Sequence, residues 1–185
     1  MAPECLPRIL FPEHGLVGDK VVLKCFCESD ICGKYLAWLN DPRVVEFSNQ
    51  RFRKHDRQSA HAYLSSFDGT DNLFLSVRER NSGEAIGTMT VYVSRHHQTA
   101  DVGIMLGEQS VWGRGYGQDA WTTLVDWLID GVGLRKVTAG TLACNKGMVK
   151  LMERSGMLHE ATRRQQELVN GRPEDIVYHA RFRPS

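Results

Sequence analysis

Three alternating glycines give this chain its clearest chemical signal. Trp112-Gly113-Arg114-Gly115-Tyr116-Gly117-Gln118-Asp119 lies between a β-rich stretch and a long apolar-striped stretch. Glycine allows positive φ and close backbone approach, so successive N–H groups can be aimed at one anion. A helix N-terminus directly after them adds free donors and partial positive charge. That combination suits a pyrophosphate. A P-loop is excluded because no Gly-Lys-Ser/Thr occurs, and a dinucleotide-type GxGxxG fails because position 118 is Gln118. The titratable groups nearest in sequence are Asp101, on the stretch leading to the glycines, and His96 and His97 in the turn before it. The five cysteines have neither disulfide-scaffold nor zinc-site spacing, so free thiols and no metal centre are expected.

The elements around this loop are legible from periodicity. Val21–Phe26, Asn72–Val77, Ala85–Val93, Thr99–Leu106 and Lys136–Cys144 are β-rich, and Asn170-Gly171 marks a closing hairpin between Glu160–Val169 and Glu174–Phe182. Helices are expected from caps at Ser29 and Asp30 to a stop at Asn40-Asp41-Pro42, then over His55–Phe67, from the glycine loop to Gly131 and Gly133, and over Lys146–Ser155. Ala120, Trp121, Leu124, Val125, Trp127, Leu128 and Ile129 form too broad an apolar face for a surface helix, so this one is expected to pack on a sheet. The alternation implies an α/β (α+β) fold, one mixed sheet with helices on its faces. With 185 residues, residues 19–185 read as a single domain after a loosely held, proline-rich arm over 1–18. Lys and Arg number 23 against 22 Asp and Glu, a net charge of +1 that argues against a nucleic-acid binder. No apolar run approaches the ~20 residues of a membrane span. A cytoplasmic location is the expectation.

At residues 112–117 the chain resembles the GNAT acyltransferase superfamily, and Trp112 in the first motif position resembles its RimJ/RimL branch. Trp38-Leu39-Asn40-Asp41-Pro42-Arg43-Val44, Asn145 with Glu153-Arg154-Ser155-Gly156-Met157, and Asn170-Gly171 with Asp175 extend that resemblance over about residues 16–183. The resemblance implies a mostly antiparallel sheet whose fourth and fifth strands splay to admit acetyl-CoA, with coenzyme A as product. It implies that Met105 and Leu106 hold the acetyl-pantetheine arm. It further implies that Gly113, Arg114, Gly115, Tyr116, Gly117 and Gln118 surround the pyrophosphate, and that Asn145 bonds the pantetheine region. Met148 stands where the branch carries a serine near the sulfur. Glu46 and Arg51 would then line the acceptor mouth.

Acetylating an amine requires a base for its proton. Strand parity puts Asp101, Gly103 and Met105 on one face, where partial desolvation would raise the Asp101 pKa, making Asp101 the first candidate base and His97 the second. The expected activity is acetyl transfer to a primary amine, either a small amine or amino sugar or a protein N-terminus, with room for a homodimer. Met148 also motivates the rival reading, a non-catalytic acyl-CoA-binding sensor.

Overall fold

The computed structural model describes residues 9–184. Eight strands form one sheet in the order β1-β2-β3-β4-β5-β6-β8-β7. They are β1 (Leu16–Val17), β2 (Val21–Cys25), β3 (Leu73–Glu79), β4 (Ala85–Ser94), β5 (Thr99–Leu106), β6 (Lys136–Leu142), β7 (Leu158–Val169) and β8 (Arg172–Phe182). Short turns join β3 to β4 to β5, so these pair antiparallel; β5 and β6, separated by a helix, run parallel. That parallel ladder has only three rungs, Thr99↔Lys136, Ala100↔Val137 and Asp101↔Thr138. Past Asp101 the two strands part into a fork.

Helices cover both faces. α3 (Tyr116–Asp126) and α4 (Lys146–Arg154) pack Trp121, Leu124, Val125 and Met152 against Leu23, Leu75, Met89, Val102 and Val137. α1 (Gly33–Asn40) and α2 (Arg57–Ser65) cover the other face through Tyr35, Trp38, Leu39 and Ala60, with Phe26 and Phe74 beneath them. The parity expected for β5 holds, since Ile104 packs with the first cluster and Met105 with the second.

Two expectations are corrected. Residues 9–18 are not a loose arm: Ile9 is buried, Phe11 packs edge-on against Trp127, and β1 pairs with β2. Residues 1–8 of that expected arm lie outside the described residues. Asp30 does not cap α1. It belongs to a short 3-10 turn, where its carboxylate accepts from Cys27 N and pairs with Arg78, while the helix begins at Gly33 after Cys32. The broad apolar face after Asp126 arises from a π-helical turn over Trp127–Gly131, closed by Val132 N–H to Trp127 O at 2.8 Å. An i→i+5 bond swings the next side chains round, so Leu128 and Ile129 are both fully buried.

One side chain joins the first strands to the cofactor-side helix. Asp119, in the first turn of α3, accepts from Asp19 N (3.0 Å), Lys20 N (2.8 Å) and Val21 N (3.0 Å). The chain can come this close because residue 18 is glycine; a Cβ there would lie 2.5 Å from Asp119 Oδ2. Asp119→Ala is expected to cost about 2 kcal/mol, the scale of bonds to a charged acceptor. Thermal unfolding should show this as a melting point roughly 4–8 °C lower. An unchanged melting point would mean that the turn is held by other contacts.

Candidate active site

A cleft of about 790 Å³ runs from the glycine loop along the β5–β6 fork to the α1–α2 side of the sheet. Its floor is Val102–Leu106 of β5, with Gly140 and Thr141 of β6 across the gap. One end is bounded by Trp112, Gly113, Gly115, Gly117 and Gln118, together with Asn145, Gly147, Met148, Lys150, Leu151 and Arg154. The other end is bounded by Tyr35, Arg43, Glu46, Phe47, Gln50, Tyr63, Thr88 and Thr90.

The glycine end has the features that an anion needs. Gly113 (φ +71°) and Gly115 (φ +85°) occupy the left-handed region, and Gly115 is the residue that opens α3. Nothing lies within 4 Å of a Cβ built on Gly113, and Lys20 Cε is 3.6 Å from one on Gly115. Among the described residues, none accepts from the N–H groups of Gly113, Gly115, Tyr116, Gly117 or Gln118. The first backbone bonds back into this turn come from Arg114 N and Asp119 N. Five free amides at the positive end of a helix fit a diphosphate. The side chains of Arg114 and Tyr116 stay off the cleft wall; Lys20 Nζ and Arg114 Cζ lie 5.4 and 5.9 Å from the Tyr116 ring centre. Trp112 Nε1 donates to Leu106 O at 2.9 Å, fixing the loop to the end of β5.

Asn145 caps α4. Its Oδ1 accepts from Met148 N (3.1 Å) and its Nδ2 donates to Thr141 Oγ1 (3.3 Å), which ties the start of α4 to β6 on the cleft wall. Met148 lies beside it, partly buried against the core. Met148→Ser would place a hydroxyl on this wall but would also remove packing volume. The expected change in turnover is no more than a few-fold, because thiolate loss is intrinsically easy; a hundredfold gain would show that an acid is missing here.

Asp101 occupies the last rung of the ladder, at the closed end of the fork, where Thr138 Oγ1 donates to it at 3.0 Å. Its carboxylate does not line the cleft, but the adjacent residue on the same face, Gly103, does. The side chain reaches solvent, yet the surrounding strands cost its charged form hydration and raise its pKa, an effect the Thr138 bond partly offsets. His97 is exposed in the β4–β5 turn. At about 3.3 Å per residue β5 is roughly 23 Å long, and His97 lies beyond the end of it farthest from the glycine loop. Glu46 faces the cleft. Arg51 instead reaches β7, with Nη2 3.2 Å from Leu168 O and 3.7 Å from Glu167.

The residues not anticipated are Tyr35, Tyr63, Lys150 and Arg154. Burial pushes the Tyr35 phenol up to about 12, and burial together with a 2.9 Å bond to Tyr92 raises that of Tyr63. Both phenols therefore stay protonated at neutral pH. Gly147, Lys150, Leu151 and Arg154 share one face of α4 by their i, i+3, i+4, i+7 spacing, the signal by which the two cations could have been found.

Residues 20–158 match the acetyltransferase (GNAT) domain, and the chain belongs to that family. It resembles a GNAT acetyltransferase structure from Bacillus anthracis (TM-score 0.77, 14% identity, 90% of this chain and 97% of that one). It is also similar to spermidine N-acetyltransferase from Vibrio cholerae in complex with CoA and spermine (TM-score 0.78, 15%, 89% and 96%). A third likeness is to the microcin C7 self-immunity acetyltransferase in complex with acetyl-CoA and AMP (TM-score 0.78, 15%, 93% and 98%). Among curated proteins, an uncharacterized protein of Methanocaldococcus jannaschii is 21% identical over 151 residues, which are 82% of this chain. The chain spans about a third (31%) of that relative's length.

Proposed function

We propose that this chain is an acetyl-CoA-dependent N-acetyltransferase for a small-molecule primary amine. The observation that carries this reading is the fork itself. Its cleft joins a loop of free amides at one end to the acceptor-side residues at the other, and a carboxylate of raised pKa stands at the vertex where the strands part. Acetyl-CoA, the acyl donor of such a site, supplies an activated acetyl thioester. The free amides of residues 113 and 115–118 hold its diphosphate, Lys150 and Arg154 add positive charge at the same end, and Asn145 bonds the arm. Asp101 takes the amine's proton through a bridging water, on the strand face that it shares with Gly103. Glu46 lines the acceptor end and favours an incoming cation.

A small acceptor is favoured by the loop over 41–55. It leaves α1, passes the cleft and bonds to β7 through Asn49–Glu167 (3.3 Å) and Arg51, so that it narrows the approach. The test is release of free CoA with polyamines, amino sugars and unfolded peptides as acceptors. Turnover on a small amine at least about tenfold above any peptide N-terminus is expected, the gap given by roughly 1.4 kcal/mol of selective binding. Preference for peptides would overturn the assignment.

A further inference from the structure

The two ends of the cleft are joined by a side-chain bridge. Gln109 opens the short 3-10 turn Gln109–Val111, which leads into the glycine loop. Its Nε2 donates to Asp41 Oδ2 at 2.6 Å, 68 residues away in the chain. The turn around Gln109 is itself tied to the loop, by Trp112 N to Gln109 O (3.1 Å) and Arg114 N to Val111 O (3.3 Å).

On the other side of the bridge, Asp41 anchors the start of the 41–55 loop. Its Oδ1 accepts from Arg43 N at 2.9 Å, and its carbonyl accepts from Val44 N (3.0 Å) and Val45 N (3.1 Å). Asn40 closes the loop at its base, accepting from His55 N (2.9 Å) and donating to His55 O (2.8 Å). Arg43, Val44, Glu46, Phe47, Ser48 and Gln50 all hang between these two fastenings and line the acceptor end.

We propose that the Asp41–Gln109 hydrogen bond is a positioning device that makes occupancy of the glycine loop set the acceptor loop. The inference rests on the cofactor reading above. A ligand held by the free amides of residues 113 and 115–118 immobilises the turn from which Gln109 projects. A short charge-assisted bond then passes that constraint to the carboxylate on which the acceptor loop is hung. Asp41 and Gln109 act through the loop they place and have no part in the proton transfer.

The test is hydrogen exchange of the amides of Arg43, Val44, Val45 and Ser48, with and without CoA, alongside calorimetric CoA affinity. In the parent, CoA should slow these amides about tenfold, within the ~5–150-fold range usual for coupled sites. Gln109→Glu sets two carboxylates face to face, and Gln109→Ala removes the bond without adding charge. In both, CoA should still bind while its effect on the loop falls below about twofold. The swapped pair Asp41→Asn with Gln109→Glu exchanges donor and acceptor between the same two positions and should restore the effect. Acceptor KM should rise in the single variants and recover in the swap, with kcat at saturation little changed. Equal slowing in Gln109→Ala and the parent, or no recovery in the swap, would overturn the proposal. CoA binding to the parent with no effect on the loop would also overturn it. A parent that binds no CoA would instead overturn the functional reading beneath it, a result calorimetry separates from the others.

Discussion

Gly115→Glu should abolish tight CoA binding, with affinity falling at least about a hundredfold. At about 4 Å and an effective dielectric near 20, two unit charges interact by ~4 kcal/mol, well above the ~2.8 kcal/mol that a hundredfold loss requires. Gly115 is where α3 begins and where amides of the loop converge, so a carboxylate there competes directly with a diphosphate. Its left-handed φ of +85° adds strain of about 1–2 kcal/mol for any residue with a Cβ. Gly115→Ala carries that strain without the charge and should lose only a few-fold. Calorimetry on both variants separates the two causes. Unchanged CoA affinity in Gly115→Glu would remove the loop from the site.

Asp101→Asn should lower turnover by ~10²–10⁴ while leaving CoA affinity near that of the parent, the signature of a lost base. The asparagine can still accept from Thr138, so the local ladder survives. In the parent, the carboxylate must be ionised to accept a proton, so activity should fall as pH drops through its raised pKa; that acid limb should be missing in the variant. The stability effect has the opposite sign. Because folding disfavours the charged form, the protonated carboxyl is the better-tolerated state and its advantage is lost as pH rises through the folded pKa. Asp101→Asn should therefore be no less stable than the parent at neutral pH. A turnover within about twofold of the parent, far from the scale of base catalysis, would remove Asp101 from the chemistry.

Local signals served the reading of the chain well where the backbone alone decides. Thr99–Leu106 is found within its expected bounds, because Val102, Ile104, Met105 and Leu106 carry the strand up to Gly107, where it stops. The glycine loop was legible for the same reason. Its positive φ values leave glycine as the residue that fits, and a long helix must start where it ends. What depends on distant partners was not legible. β1 has only two residues and no periodicity of its own, and it exists because β2 offers an edge. Arg51 reads as a free cation at a loop, and only the folded chain brings Glu167 and Leu168 to it across more than a hundred residues. Tyr35 and Tyr63 have helical spacing and look like core. Their rings do pack in the second apolar cluster, and their residues also line the cleft because that cluster forms its wall. Strand parity gives Asp101 its face, but its position at the vertex of the fork follows from where β6 stops pairing, which no local pattern encodes.

The most direct test of the account is to follow the acetyl group itself. The protein would be incubated with acetyl-CoA carrying a carbon-13 acetyl group and a panel of small primary amines, and both the amines and the intact protein weighed by mass spectrometry. The predicted result is one labelled acetyl group on the amine for each CoA released, with the protein's own mass unchanged, as direct transfer within the fork requires. Tight CoA binding with no labelled amine, or label retained on the protein, would contradict it.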